Sequence, residues 1–347
     1  MKRIGSALVV MMAILGITVL AFAPRPPTEG FTAATAPFRQ RYSTHGISVD
    51  GKKKTITDGN KTLYYAQSFN SREGRANCHD KLRTCEVLAA AGLPVARHYS
   101  WDHGADNDFN LREVKEKVGY PLVLKPRSNH KGYNVFVGIE DPDELLEKVK
   151  RLGTQKVIIE KEMKGDEYRV NVLGGEVIAI TKRSQPYVIG DGQSSIKELV
   201  RRSSSNRYDT IRTADQSLLR RHGMSVNTVP RKGQRVVVSK VANYRNGAKL
   251  EYVPVNTVNP ENIQMFEQVA DVMRVANTGF DYIVSAPLSV PYRHARTAAV
   301  IDVNGRPGWY GAPYDAIPTS QMKQRLVDKV LSILFKGEKI DRYVESS

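Results

Sequence analysis

Residues Ala299 to Gly308 read Ala-Val-Ile-Asp-Val-Asn-Gly-Arg-Pro-Gly, an apolar strand that stops on two oxygen-bearing side chains, Asp302 and Asn304. Alternate residues of a strand share a face, so these two point the same way. A carboxylate beside a carboxamide suits a hard cation such as Mg²⁺, which is held by few protein oxygens together with the phosphates of a substrate. The same letters also describe a strand entering a turn, because Asn-Gly and Pro-Gly are turn signals.

Two further strand ends carry chemistry. An apolar run over 121–125 ends on Lys125 and leads through Pro-Arg-Ser-Asn-His-Lys-Gly-Tyr-Asn into a second run at 135–138. Strand, polar loop and strand make a hairpin able to cover phosphates, with Ser128, Asn129, Gly132 and backbone N–H groups as donors and Lys125 as the charge. The loop matches no Walker pattern, and such a loop taken alone is more often an ordinary hairpin than a nucleotide lid. Another apolar run, over 156–160, leaves Glu160 and Lys161 at its end, followed by Met163, Gly165, Asp166 and Glu167. The only cysteines are Cys78 and Cys85, which form neither a disulfide framework nor a zinc site. None of the seven histidines is given a role, His130 in the loop being the one to watch.

Punctuation and periodicity supply the elements that must position these groups. A helix is expected from its N-cap Asp80, through Leu82, Val87 and Leu88, to a stop at Gly92-Leu93-Pro94. Another opens at Asp141-Pro142 and closes at Leu152-Gly153, and a third lies near 320–335. Strands over 168–173 and 176–181 flank Gly174-Gly175 as a hairpin. Residues 25–77 are polar, with turns at Asp50-Gly51 and Asp58-Gly59 and a basic run from Lys52 to Lys54, and read as a linker followed by one or two hairpins. Strand, helix and strand followed by hairpins give an α+β class with a mixed sheet and no internal repeat.

A chain of 347 residues that is 41% hydrophobic can fill two or three subdomains. Its formal charge of +16 calls for an acidic partner, whether nucleic acid, an anionic membrane or a substrate rich in phosphate and carboxylate. A nucleic-acid binder accounts for the charge but not for the acidic strand ends, and no aromatic-rich basic motif is present, so no nucleic acid is expected. Lys2 and Arg3 precede an uncharged run over 4–23, followed by Pro24, Pro26 and Pro27. About twenty apolar residues span a bilayer. The basic start and Ala21-Phe22-Ala23 also fit a signal peptide, but Pro24 directly after them favours an uncleaved anchor, hence membrane association through 4–23. With Lys2 and Arg3 inside, everything that follows would lie outside the cytoplasm.

Five segments, in order, resemble an ATP-grasp ligase, and within that superfamily the ATP-grasp module of cyanophycin synthetases and bifunctional glutathione synthetases, with a wider likeness to D-alanine–D-alanine ligases. They are Asp80-Lys81-Leu82 with Ala91-Gly92-Leu93-Pro94-Val95; Leu122-Val123-Leu124-Lys125-Pro126; Ile159-Glu160-Lys161 with Gly165-Asp166-Glu167-Tyr168-Arg169; Val188-Ile189-Gly190-Asp191-Gly192; and Phe280-Asp281 with Asp302-Val303-Asn304-Gly305-Arg306-Pro307-Gly308. Val229-Pro230, Gly233, Ala242-Asn243 and Asn259-Pro260-Glu261-Asn262 also resemble the cyanophycin synthetase pattern. The resemblance implies two α/β subdomains gripping ATP between them, preceded here by a hydrophobic N-terminal segment. It divides the chain into an anchor or signal-like segment at 1–30, a linker with hairpins at 31–77, an ATP-grasp domain at 78–335 and a tail at 336–347. Within the domain it places a nucleotide lid at 120–185, a basic insertion at 194–240 and a metal-binding part at 241–310.

The resemblance also implies roles. Lys81 and Lys125 would hold the nucleotide phosphates as point charges, with Ser128 and Gly132 in the loop that folds over them. Glu160 and the backbone at Lys161 and Met163 would meet adenine, and Glu167 the ribose hydroxyls. Asp281, Asp302 and Asn304 would carry two Mg²⁺ ions, or Mn²⁺, bridging the β- and γ-phosphates. Arg169, Arg183 and Arg306 are the catalytic candidates, facing the transferred phosphoryl or a substrate carboxylate. The implied reaction is ATP-dependent ligation, in which a carboxylate of an amino acid or acidic peptide becomes an acyl phosphate that an amine captures. That chemistry needs cytoplasmic ATP and conflicts with the topology read from the N-terminus. The alternative is a membrane-tethered, degenerate ATP-grasp module that binds nucleotide or polyanions without ligation.

Two departures stand out: Asp302 where the family usually has glutamate, and Tyr133-Asn134 where many relatives place a further glycine. Arg201, Arg202, Arg220 and Arg221 give the insertion a basic face, expected on a helical flap and suited to a polyanionic peptide. No Mur-ligase-like module is expected to follow, and the subdomain that usually precedes an ATP-grasp module is expected to be truncated, leaving the carboxylate pocket incomplete or completed by a partner; a homo-oligomer is compatible with this.

Overall fold

The computed structural model describes residues 46–340, apart from 51, 54, 65–68, 103–108, 129–133, 204–213, 243–246, 308–313, 315 and 337–339. The apolar run at 4–23 lies outside the described residues, as do His130 and Gly132. Among the described residues, no helix is long and apolar enough to cross a membrane.

The described chain opens with an antiparallel meander, β1 (Ser48–Asp50), β2 (Thr55–Thr57) and β3 (Thr62–Tyr64). Its turns form at the two Asp-Gly pairs because each aspartate folds back on the backbone: Asp50 Oδ1 accepts the N–H of Lys52 and Lys53, and Asp58 Oδ1 that of Asn60 and Lys61. Helix α1 (Arg72–His79) follows, where a linker was expected. Ser71 caps it by accepting the Gly74 N–H, and Gly74 packs directly against the backbone of Arg274. Asp80 then caps α2 (Lys81–Ala90), as its position predicts.

The next elements are β4 (His98–Trp101), α3 (Leu111–Lys117), β5 (Leu122–Pro126), β6 (Phe136–Ile139), α4 (Pro142–Leu152) and β7 (Val157–Lys161). They build a lid whose sheet runs β4-β7-β5-β6. Val114, Val118, Leu122, Leu124, Leu145 and Ile159 fill its core.

Beyond it come β8 (Asp166–Leu173), β9 (Glu176–Ser184), β10 (Tyr187–Ile189), α5 (Ile196–Arg202), α6 (Gln216–Arg221), β11 (Arg235–Val237), β12 (Lys249–Val253), α7 (Pro260–Met273), β13 (Asn277–Val284), β14 (Ala298–Asn304) and α8 (Ser320–Lys336). A second sheet runs β12-β9-β8-β13-β14. Leu88, Val170, Phe266, Met273, Phe280 and Tyr282 bury one of its faces under α2 and α7. Leu173 and Ile178 join a separate core with the meander and α8, through Ile56, Leu63, Val330 and Leu331. Strands β8 and β9, expected in the lid, belong to this second sheet, whereas β4 joins the lid from before residue 120.

The expectation of a mixed sheet is corrected: every ladder among the described residues is antiparallel, and the one parallel pairing is an isolated bridge between Val95 and Val300. Helix α4 carries the chain from β6 over β5 to β7, two strands that run the same way but are separated by the oppositely directed β5, so the crossover leaves no parallel ladder. The insertion is more than a helical flap. Strands β10 and β11 pair, and Val188, Ile196, Val200, Leu219, Val236 and Val238 form a small core beneath α5 and α6.

Candidate active site

Lys125 stands near the end of β5, and Glu160 on β7 lies opposite Val123, two residues before it. Residues two apart share a strand face, so ammonium and carboxylate meet on one side of the lid sheet. Their atoms are 2.7 Å apart and both side chains are buried. Burial works against the lysine charge, but Glu160 and Asp302 outweigh it and hold the Lys125 pKa above its ordinary value. Cys85 Sγ donates to the other Glu160 oxygen at 3.8 Å.

The second sheet comes to meet this lysine through a bulge. Asp281 pairs with Asp302 and Tyr282 with Val300, so Ile301 has no partner on β13. Without the bulge, Asp302 would share the core face of Val300. With it, Val303 enters the core and Asp302 turns to the face of Asp281. The Ile301 carbonyl accepts Lys125 Nζ at 2.8 Å. Lys81 Nζ lies 3.5 Å from Asp302 Oδ1, and Asn304 Nδ2 donates to Asp302 Oδ2 at 3.0 Å.

On the same face of β8, β9 and β13, Arg169 Nη1 and Arg183 Nη1 both reach Asp281 Oδ1, at 2.8 and 3.0 Å, and Arg183 also reaches Glu167 at 3.3 Å. Gly279 makes room for this: a Cβ there would sit 2.6 Å from Arg169 Nη2. Burial opposes the Asp281 charge, yet the two guanidinium groups outweigh it and keep the carboxyl below its usual range. Glu167 is pushed the other way, up to about 7, by burial together with the Asp281 charge. Arg183 Nε, Thr181 Oγ1 and the Asn171 amide are buried without a hydrogen-bond partner.

The two antiparallel sheets meet through charged side chains of both signs, Lys125 and Glu160 on the lid and Arg169, Arg183, Asp281 and Asp302 on the second sheet. The solved structure of a bifunctional glutathione synthetase from Pasteurella multocida matches 87% of this chain and 44% of its own, with a TM-score of 0.57 at 21% identity. The chain has the ATP-grasp fold. In sequence it is similar to the cyanophycin synthetase of Trichormus variabilis, 30% identical over 282 residues that make up 76% of this chain and 30% of that protein. It is also similar to the glutathione biosynthesis bifunctional protein of Clostridium perfringens, 24% identical over 305 residues, 81% of this chain and 37% of that one. The chain therefore spans about a third of the length of the curated relatives it matches. No protein-family model matches it.

Within the ATP-grasp frame, Lys81, Lys125, Glu160, Asp302 and Asn304 form one cluster, and Glu167, Arg169, Arg183 and Asp281 the adjoining one. The Glu160 carboxylate, expected against adenine, is committed to Lys125, which could not keep its charge there without it. The Lys161 N–H donates to Arg97 O at 2.8 Å and its ammonium to the carbonyls of Gly119 and Tyr120. Met163 is half-buried just beyond β7; Ser128 and Arg306 are exposed at the edges of the two strand-end turns. Asn134 takes φ 57°, the left-handed conformation that a glycine adopts most easily.

Two contributors had no sequence signal. The Ile301 carbonyl is freed by a bulge, and Cys85 is an ordinary helix residue until folding sets it against Glu160. Burial, with Glu160 beside Cys85 and Asp302 beside Cys78, pushes both thiols up to about 12, so neither is a nucleophile at neutral pH.

Proposed function

We propose that the chain is an ATP- and Mg²⁺-dependent ligase that joins a carboxylate, on an amino acid or acidic peptide, to an amine with release of ADP and phosphate. The observation that carries this reading is the convergence of two lysines and two strand-end oxygen donors where the two sheets meet: Lys125 on the Ile301 carbonyl at 2.8 Å and Lys81 beside Asp302 at 3.5 Å. The residues fit the groups they would hold. Asp281, Asp302 and the Asn304 carbonyl offer the oxygens that a hard cation requires, and the charged lysines suit polyphosphate. Arg183 Nε is a buried donor without an acceptor, available to a phosphoryl or carboxylate oxygen.

When bound, ATP supplies the phosphoryl group that activates the carboxylate. The protein's part is to position and to neutralise charge. Lys81 and Lys125 would hold phosphate oxygens, and Arg169 and Arg183 would face the reacting carboxylate. No covalent nucleophile is needed. Anchoring through 4–23 is a separate part of the proposal, which a topology reporter fused to the N-terminus would test.

The decisive experiment is Mg²⁺-dependent ADP release by the full chain against pools of amino acids, amines and acidic peptides, with mass detection of new amides. Substrate-stimulated ADP release with a condensed product is expected, lost in Lys125→Ala and in Asp302→Ala. ATP binding without amide formation in any pool would replace the ligase with a nucleotide-binding module.

A further inference from the structure

Arg127 stands where β5 gives way to the phosphate-covering loop, two residues after Lys125. Its guanidinium reaches in two directions. Nε bonds both Asp80 oxygens, at 3.0 and 3.1 Å, and Nη2 bonds Asp80 Oδ2 at 2.5 Å. Nη1 bonds Asp102 Oδ1 at 2.9 Å, and Lys156 holds the other Asp102 oxygen at 2.7 Å. The backbone repeats the connection: Arg127 O accepts the Lys81 N–H at 3.0 Å, and Arg127 N–H donates to Lys156 O at 2.9 Å. One residue thereby ties the α2 N-terminus to the ends of β4 and β5 and to the start of β7.

Side-chain exposures of 17% for Arg127, 25% for Asp80 and 29% for Asp102 leave these charges partly shielded from solvent, in a geometry that is forked rather than point-to-point. The two phosphate lysines depend on it unequally. Lys125 is fixed by Glu160 and the Ile301 carbonyl. Lys81 is the first residue of α2, directly after Asp80, and its place relative to β5 is set by the bonds of Asp80 and of its own N–H to Arg127.

We propose that Arg127 is a positioning residue: through Asp80 it holds Lys81 in register with Lys125, so that both ammonium groups meet a single polyphosphate. Arg127 itself touches no substrate. The identity of that ligand rests on the ligase reading; the coupling of Arg127 to Lys81 does not.

The test is made on the full chain with Arg127→Leu and, separately, Asp80→Asn, which keeps an oxygen for the helix cap but loses the ionic fork. Acylation by an amine-reactive reagent, read lysine by lysine in mass spectra, should be about tenfold faster at Lys81 in either variant and unchanged at Lys125. The double variant should be no worse than the single ones, because both remove the same bond. ATP affinity should fall by a similar factor, and Arg127→Lys should not restore it. Unchanged Lys81 labelling, or Lys81 and Lys125 rising together as in general loosening, would overturn the proposal. Failure of the unaltered chain to bind ATP would overturn the ligase reading instead, and the labelling contrast would still decide the role of Arg127.

Discussion

Lys125 is charged in a place where charge is costly, and its partners explain why it stays so. A buried ion pair is weak evidence for stability, but breaking one side of it is strongly destabilising. Glu160→Gln should therefore lower the unfolding free energy by about 3–5 kcal/mol, measurable as a shift in the denaturant midpoint. The double change Lys125→Met/Glu160→Leu should restore much of that stability while leaving ATP turnover abolished, which separates the lysine's function from the pair's upkeep. Asp302 permits a finer test. Its carboxylate sits one methylene closer to the strand than glutamate would, within 3.5 Å of Lys81. Asp302→Glu should hold or raise ADP release, whereas Asp302→Ala should abolish it; an Asp302→Glu variant as inactive as the alanine one would remove Asp302 from the metal set.

Helix α1 shows how an element forms without an amphipathic stripe. Its sequence, Arg-Glu-Gly-Arg-Ala-Asn-Cys-His, buries Gly74 and Asn77 and packs Cys78 partly against the core. Gly74 lies against the carbonyl of Arg274, a residue whose φ of 56° ends α7 in the left-handed conformation, and Asn77 donates to Met273 O at 3.2 Å. Gly74→Ala would drive a methyl into that carbonyl and should cost about 1–3 kcal/mol by overpacking, read in thermal melting. Contacts of this kind are why residues 25–77 read as a linker followed by hairpins with no helix at their end: the helicity of α1 comes from a partner some 200 residues away, not from local periodicity. The elements that were legible carry their own signals, such as the Asp80 and Asp141 caps, the Gly174-Gly175 turn with both φ positive, and the apolar strands ending on Lys125 and Asp302. The strand ends announced the site's chemistry, because polar residues closing apolar runs are visible in one dimension. The Ile301 bulge, the Glu160 pairing and the antiparallel order of the sheets were not, since each is decided by which strand lies beside which.

At the scale of the molecule, the insertion is fastened to the lid along one edge. Strand β6 is an edge of the lid sheet, with main-chain groups that the ladder leaves open. The insertion covers them with cations: Lys240 Nζ donates to Val137 O at 3.1 Å, and Arg221 Nη1 to Gly138 O at 3.0 Å. Arg221 also reaches Glu140 at 3.3 Å and Glu144 at 3.1 Å, so edge and helix α4 are held together. Each bond is partly exposed and modest, but they converge on one edge. Through these contacts the insertion and the lid are expected to respond together to a nucleotide. Hydrogen exchange checks this. In the unaltered chain, ATP with Mg²⁺ should slow exchange in β6 and in α6 together. Arg221→Ala should speed exchange of α6 about fivefold, as loss of about 1 kcal/mol predicts, and should leave ATP protecting β6 alone. Protection that still reaches α6 in that variant would show that the insertion follows the lid by another route than this edge.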